Sequence, residues 1–346
     1  MPTHKKKPLP VLVTGGAGYI GSHVCKALHQ NGFLPIVFDN FSQGHKYAIQ
    51  WGPYLEGDLL DPKALQLAFT TYKPIAVMHF AASALVNESI MRPEKYFRNN
   101  TVGTLNLLES CVQHKICSLV FSSTCATYGI SPTTPLSENC PRKPINPYGR
   151  SKFFIEEMLP DFEKAYGLHS ISLRYFNAAG ADPDQEIGEN HFPETHLIPT
   201  VIHAALGLLP HISVYGCDFP TPDGSAIRDY IHVTDLANAH LLALFWLLEN
   251  KQSLSLNLGT GTGLSVFQII KEIEQYGKRF LKIKLEKRRE GDPAILIADN
   301  KKAKQILGFE PKHSDIHTII DSAWKWYASL SAEGTSLLPS LANAIP

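Results

Sequence analysis

The run Val11-Leu12-Val13-Thr14-Gly15-Gly16-Ala17-Gly18-Tyr19-Ile20-Gly21 decides how this chain folds. A β-branched apolar stretch leads into glycines spaced G-x-x-G-x-x-G, and an amphipathic helical pattern follows from Ser22 to Asn31. Strand, glycine turn and helix, in that order, are what a dinucleotide-binding turn requires. Gly15 allows the tight turn. Gly18 lets the backbone approach a pyrophosphate, and Gly21 lets the helix pack close to the sheet. The helix N-terminus then offers free N–H groups and partial positive charge to the phosphates.

The next apolar run, Leu34 to Phe38, ends in Asp39, at the distance where an acid meets the adenosine ribose. A carboxylate there accepts from both ribose hydroxyls and repels a 2′-phosphate, so NAD is expected over NADP. Further strand-like runs lie at Tyr54–Asp58, Ala76–Ala81, Leu119–Ser123 and Ile171–Tyr175. Helical patterns separate them at Pro62–Thr71, Pro93–Cys111 and Tyr148–Tyr166. This alternation predicts an α/β fold, a Rossmann-type doubly wound parallel sheet covered on both faces. From Asn177 the pattern changes to a loop rich in Asn, Pro, Gly and His, then shorter mixed elements. We therefore expect an NAD-binding domain over 8–176 and a smaller, interleaved C-terminal α/β substrate lobe over 177–330. A small, polar tail over 331–346 is expected to fray.

Composition bounds the function. The 346 residues are 44% hydrophobic and 18% charged, with a formal net charge of zero. That leaves no electrostatic footprint for nucleic acid. No apolar run reaches membrane length, and the stretch after Lys5-Lys6-Lys7 is too short for a signal peptide. The six cysteines form no C-x-x-C pair, so reduced thiols in a cytoplasmic protein are expected. The 15 histidines show no H-x-x-x-H or H-E-x-x-H pattern; His191 and His196 are five apart in a proline-flanked loop, and no metal site is expected.

Tyr148 and Lys152 stand four apart at the start of a predicted helix, and so on one face. An ammonium beside a phenol favours the phenolate and lowers its pKa, giving a group that exchanges a proton near neutrality. The pair follows the turn Pro144-Ile145-Asn146-Pro147, downstream of a strand ending in Ser122-Ser123-Thr124. Thr124 is placed to hydrogen-bond the same substrate hydroxyl.

A longer ordered set of motifs accompanies these residues. They are TGGAGYIGSH (14–23), FDN (38–40), GD (57–58), HFAA (79–82), NN (99–100), FSSTCATYG (121–129), NPYGRSK (146–152) and LRYFNAAGA (173–181). PETHLIP (193–199), DGSAIRDYIHVTDLA (223–237), NLGTGTGLSV (257–266) and RREGDPA (288–294) complete it. On these stretches, over nearly all of Val11–Tyr327, the chain resembles the UDP-glucose 4-epimerase family of the extended short-chain dehydrogenases, whose glycine turn has this spacing.

The resemblance implies reversible epimerisation at C4 of a UDP-hexose, UDP-glucose to UDP-galactose, through a transient 4-keto sugar and a retained NAD. It implies Tyr148 as acid/base, Lys152 as its tuner and Thr124 as the residue that positions the sugar. Implied cofactor contacts are Gly15, Gly18, Tyr19, Ile20, Gly21, Asp39, Asn40, Asp58, Leu59, Phe80, Ala81, Ala82, Asn99, Ser122, Tyr148, Lys152 and Tyr175. Implied substrate contacts are Thr124, Asn177, His196, Leu197, Tyr215, Arg228, Arg289, Asp292 and Leu296. Leu296 would line the pocket for the C2 substituent. Relatives carry a lysine where this chain has Ala84, and often a serine where it has Thr124.

The family also implies a homodimer through the helices near Pro93–Cys111 and Tyr148–Tyr166, with Leu105, Leu107, Leu108, Phe153, Phe154 and Met158 supplying apolar surface. Alternatives are a UDP-N-acetylglucosamine 4-epimerase or another nucleotide-sugar 4-epimerase. A nucleotide-sugar 4,6-dehydratase is disfavoured, because that family has an Asp-Glu pair where this chain has Cys125-Ala126. A catalytically silent NAD-binding regulator is disfavoured by retention of Thr124, Tyr148 and Lys152 together.

Overall fold

A computed structural model describes residues 7–289 and 291–332. Most of the expected tail, and Lys5 and Lys6, lie outside the described residues. The chain begins β1 (Leu9–Thr14), α1 (Tyr19–Gln30), β2 (Phe33–Asp39), β3 (Tyr54–Glu56), α2 (Pro62–Tyr72) and β4 (Ala76–His79). Then come α3 (Val86–Met91), α4 (Pro93–Tyr96), a π-helical segment (Phe97–Val102), α5 (Gly103–Gln113), β5 (Ser118–Thr124), α6 (Pro147–Tyr166) and β6 (His169–Tyr175). The later elements are β7 (Asn177–Ala179), α7 (Leu197–Ala205), β8 (Ile212–Tyr215), β9 (Ile227–Arg228), β10 (Tyr230–His232), α8 (Val233–Asn250) and β11 (Leu254–Leu258). They end with β12 (Leu264–Ser265), α9 (Val266–Gly277), β13 (Ile283–Glu286), β14 (Ile295–Leu296), α10 (Lys301–Leu307) and α11 (Ile316–Ala332).

The chain divides into two compact units. Among the described residues, the first comprises 7–127, 144–174 and 237–256; the second comprises 128–143, 175–236 and 257–332. The first unit is built on a seven-stranded sheet of order β11-β6-β5-β4-β1-β2-β3, in which β3, β2, β1, β4 and β5 pair in parallel. That is the doubly wound Rossmann order, which reverses between β1 and β4, and ligands bind beyond the strand ends at that reversal. Strand β11 adds to the edge beside β6, which is why residues 237–256 belong with the first unit and not with the chain around them.

One core cluster includes Leu12, Ile36 and Phe38 from the sheet and Leu65, Phe69, Leu107, Leu108, Ile155 and Leu159 from α2, α5 and α6. Leu107 and Leu108 are wholly buried there, so they do not belong to the apolar outer surface expected for them. Their spacing on α5 turns them toward the sheet. Caps fix the helix starts. Asp61 accepts from Lys63 N, with Pro62 in the first turn of α2. Asn146 accepts from Gly149 N at 2.8 Å, with Pro147 opening α6, and Gly167 closes that helix in the left-handed region.

Two helices differ from expectation by more than two residues. Helix α1 starts at Tyr19, three residues before the expected Ser22, because Gly18 takes the N-cap position. The single helix expected over Pro93–Cys111 is interrupted by the π segment. A π turn admits an extra residue into the helical ladder, and such insertions recur at functional sites. Here it falls on Asn99 and Asn100.

The second unit carries three small sheets: β10-β7, β12-β9-β14 and β13-β8. Helix α9 opens with a capping box between Ser265 and Gln268. Among the described residues no helix is long and apolar enough to cross a membrane.

Candidate active site

In the first unit the glycine turn is held by close backbone packing. Gly15 has φ +72°, its N–H donates to Phe38 O at 2.8 Å, and a Cβ there would lie 2.5 Å from Ala81 N. The HFAA segment is pressed against the turn, because the Phe80 and Ala81 N–H groups both donate to Thr14 O. A Cβ on Gly21 would lie 2.2 Å from Gly15 O, so only glycine lets α1 sit so near the turn. At Gly18 an added Cβ would meet only Gly15 O, at 3.3 Å, so its Cα faces open space. No side chain caps α1. The open cradle at an uncapped helix N-terminus fits the pyrophosphate of NAD. Tyr19 and Ile20 form the first turn of that helix.

Asp39 ends β2, buried, with Oδ2 accepting from Ala17 N at 3.0 Å and Oδ1 from Phe41 N at 2.9 Å. Burial pushes its carboxyl above the usual range, and these backbone donors pull it back. Each oxygen keeps a lone pair for a ribose hydroxyl. Asn40 donates to Asp58 Oδ2 at 2.8 Å, so the turns after β2 and β3 brace each other. Leu59 is buried beside them, and its carbonyl accepts from Asn106. Ala82 follows in the loop after β4, and Asn99 donates to Ser83 Oγ at 3.2 Å. Asn100 accepts from Ser83 N at 2.8 Å and donates to Ser151 Oγ at 2.9 Å. The π turn therefore ties the β4 loop to α6.

Tyr148 and Lys152 lie on the first turns of α6. A Cβ on Gly149 would lie 2.5 Å from Ala126 O, so the helix start is pressed on the backbone two residues after Thr124. The Tyr148 ring meets Tyr96 edge-on, with centroids 6.4 Å apart. Lys152 Nζ donates to Ser122 O at 2.9 Å and lies 4.9 Å from the centre of the Phe121 ring. Burial pushes its ammonium down to about 7, against the opposing charge of Glu156. Thr124 Oγ1 accepts from Ala126 N at 3.1 Å. Tyr175 closes β6.

Three residues absent from the expected set support this arrangement. Glu156, one turn beyond Lys152, accepts from Arg174 Nε at 3.0 Å and Nη2 at 2.5 Å, and from the Ser123 hydroxyl. All three are buried. They latch α6 onto β5 and β6. An acid at the position four after a predicted lysine was visible in the sequence. Its partner on another strand was not.

In the second unit Asn177 donates to Asp229 O at 3.0 Å, and Arg228 Nη2 pairs with Asp292 Oδ1 at 2.5 Å. Leu296 on β14 stands opposite Arg228 on β9. Asp229 fixes this ladder by accepting from the N–H groups of Thr260, Gly261 and Ala298. The Arg289 guanidinium stacks 4.0 Å from the centre of the Tyr215 ring. His196 and Leu197 open α7, which packs on β8. The structure thus joins Asn177, Arg228, Asp292 and Leu296 in one group and Tyr215 and Arg289 in another. It also gathers Glu189, His191, Glu194 and His196, with one donor atom from each within 4.8 Å of the others. Hydrogen bonds among them account for that closeness.

A family model described as NAD dependent epimerase/dehydratase family matches residues 11–259, and the chain belongs to that family. Within it, the chain is 48% identical to a UDP-glucose 4-epimerase of Rhizobium meliloti, covering 94% of this chain and 98% of the relative. Its fold matches the crystal structure of UDP-glucose 4-epimerase from Brucella ovis in complex with NAD, at TM-score 0.89 and 50% identity, covering 92% of this chain and 98% of that one. A UDP-Glc/GlcNAc 4-epimerase from Campylobacter jejuni matches at TM-score 0.81 and 39% identity, covering 93% and 99%.

Proposed function

We propose that this chain is an NAD-dependent isomerase that interconverts UDP-glucose and UDP-galactose by epimerisation at C4. The observation that carries the reading is Lys152 buried one turn after Tyr148, on a helix pressed against the Thr124 strand end, in the unit that also holds the NAD cradle.

Tyr148, as phenolate, takes the proton of the sugar C4 hydroxyl while Thr124 holds that hydroxyl. NAD, which the glycine turn and Asp39 would hold, would supply the hydride acceptor and donor that the change at C4 needs. Lys152 stabilises the phenolate through its charge and contacts the nicotinamide ribose. Its Nζ is fixed by Ser122 O, so the cation keeps its place while the proton moves. The 4-keto sugar turns about its diphosphate linkage while Asn177, Arg228, Arg289 and Asp292 keep the UDP anchored. Guanidinium groups suit a diphosphate because their N–H groups bind two oxygens at once. Tyr148 then returns the proton, and C4 has inverted. The cycle has no net redox change, so the protein is expected to purify with NAD and to turn over without added cofactor. Recovery of NAD-free protein that NADP activates better than NAD would overturn the reading of Asp39.

Leu296 sets substrate breadth in this reading. Its place opposite Arg228 supports a position beside the anchored sugar. A leucine is intermediate between an aromatic that closes the C2 pocket and a small residue that opens it, so turnover of UDP-N-acetylhexosamines is expected to be weak. Leu296→Tyr should lower the ratio of N-acetylated to plain hexose turnover, and Leu296→Cys should raise it, each by about tenfold. An unchanged ratio in both variants, from initial rates on the two UDP-sugars, removes Leu296 from specificity.

The active form is a homodimer through the outer faces of α5 and α6. Phe154 of α6 and Val102 of the π segment that leads into α5 are exposed, and the Phe97 ring packs on Phe154 with centroids 5.9 Å apart. The Phe153 ring lies 6.1 Å from that of Phe154, whereas Met158 packs against the core cluster and does not add to the expected surface. An apolar surface of this kind favours association. Light scattering at micromolar concentration should give twice the chain mass; a monomer contradicts the dimer. None of the six cysteines forms a disulfide, which supports placement in the cytoplasm.

A further inference from the structure

We propose that Glu189 and Glu194 hold His196 as an imidazolium, which gives the UDP diphosphate a third fixed cation beside Arg228 and Arg289; this rests on the UDP reading above. His196 Nδ1 lies 2.8 Å from Glu189 Oε1 and 2.9 Å from Glu194 Oε1. Carboxylates only accept, so Nδ1 carries a proton, and the ring's charge depends on Nε2 alone. The two glutamate side chains are 4% and 5% exposed, and Glu194 Oε2 is buried with no hydrogen-bond partner. A neutral His196 would leave two desolvated carboxylates facing one neutral ring. That arrangement is costly, and the second proton relieves it.

Partial desolvation of the half-exposed ring works against the charge on His196, and the two glutamates more than offset it, holding the ring well above the usual histidine range. Glu189 in turn is held below the usual carboxylate range: burial raises it, but His196 and His191 outweigh that. His191 shares Glu189 at 3.1 Å, its ring 5.4 Å from that of His196, and competes for the same charge. His203, on α7, is buried with neither ring nitrogen partnered, and burial lowers it, so it stays neutral.

The position suits an anion clamp. The His196 side chain is 49% exposed while its carboxylate partners are buried, so the charge faces outward. Its backbone is fixed too, because Glu194 Oε1 accepts from Thr195 N at 2.7 Å and His196 N at 2.8 Å. His196 caps α7, whose N-terminus adds partial positive charge of the same sign. Glu189 and Glu194 are therefore positioning residues that act through His196.

The test measures UDP-glucose affinity by calorimetry from about pH 6 to about pH 8.5, where the diphosphate diester keeps its charge, in a Tyr148→Phe background that stops turnover. With both glutamates present, affinity should change by less than about threefold. In Glu189→Gln or Glu194→Gln it should fall by about tenfold as pH rises and the imidazole loses its proton. His196→Gln should be about tenfold weaker at every pH. The direction follows from the sign of the shift: a histidine held above its ordinary value keeps its charge until the pH passes the raised value.

A histidine-selective NMR titration of the unsubstituted chain reads the same claim without any glutamate variant. It should find His196 still protonated well above the usual histidine range. A His196 that titrates near its ordinary value, a glutamate variant with flat affinity, or a His196→Gln chain that binds as tightly as the parent overturns the proposal. An Arg228→Ala control separates the two readings. Weak binding there with unchanged binding in His196→Gln sinks only this inference, whereas unchanged binding in Arg228→Ala sinks the UDP anchor itself.

Discussion

Replacing Tyr148 by phenylalanine is expected to lower epimerase turnover by at least about a thousandfold while leaving NAD bound. The ring is kept, so its edge contact with Tyr96 and the start of α6 survive. What disappears is the one oxygen assigned to exchange a proton with the C4 hydroxyl. Lys152 cannot substitute, because its Nζ is committed to Ser122 O from a buried position. NAD content is read from the absorbance and fluorescence of the purified protein, and turnover from coupled formation of UDP-glucose. Activity within about tenfold of the parent removes Tyr148 from the acid–base role. Loss of NAD along with activity would instead make it a cofactor contact first.

The second large effect is on stability. Arg174→Met should destabilise the first unit by about 3–5 kcal/mol, because it leaves the Glu156 carboxylate buried without its guanidinium. That carboxylate keeps only the Ser123 hydroxyl among the three donor groups described above. The double variant Arg174→Met/Glu156→Met should recover much of the loss, since a buried ion pair contributes less than the cost of stranding one of its charges. Urea unfolding at fixed NAD concentration measures both. A single variant as stable as the parent, or a double variant no better than the single, contradicts the latch. The same latch holds α6 against β5, so the single variant should also lose turnover without change at Tyr148 itself.

The sequence carried the fold where its signals were local. The run from Val11 to Gly21 is one strand, one turn and one helix start, and each glycine has the packing that its spacing demands. Asp39 was legible because a strand-end acid at that distance is itself a local pattern. The π segment was not legible: one extra residue in a helical ladder barely disturbs apolar periodicity, so Pro93–Cys111 read as one helix. The return of β11 to the sheet edge was equally hidden, because strand order is set by partners and not by the strand's own residues.

The same division holds at the site. Tyr148 and Lys152 announce themselves by a four-residue spacing, whereas Ser123, Glu156 and Arg174 are separated by 33 and 18 positions and meet only in the fold. Leu107 and Leu108 run the other way: apolar residues on a long helix suit an outer surface by sequence, but the sheet takes both. The family resemblance implies His196 as a contact residue. The buried carboxylates that set its charge became visible only once the loop had folded back on itself.

In the proposed cycle C4 is inverted by removing and returning its own hydrogen, with Tyr148 moving only the hydroxyl proton. The most direct test is to incubate the purified protein, with no added nicotinamide, with UDP-galactose in deuterated water and to read the product by NMR. UDP-glucose should form with its original protium at C4 and no deuterium on any ring carbon. Deuterium at C4 or at a neighbouring carbon, or no UDP-glucose at all, would contradict it.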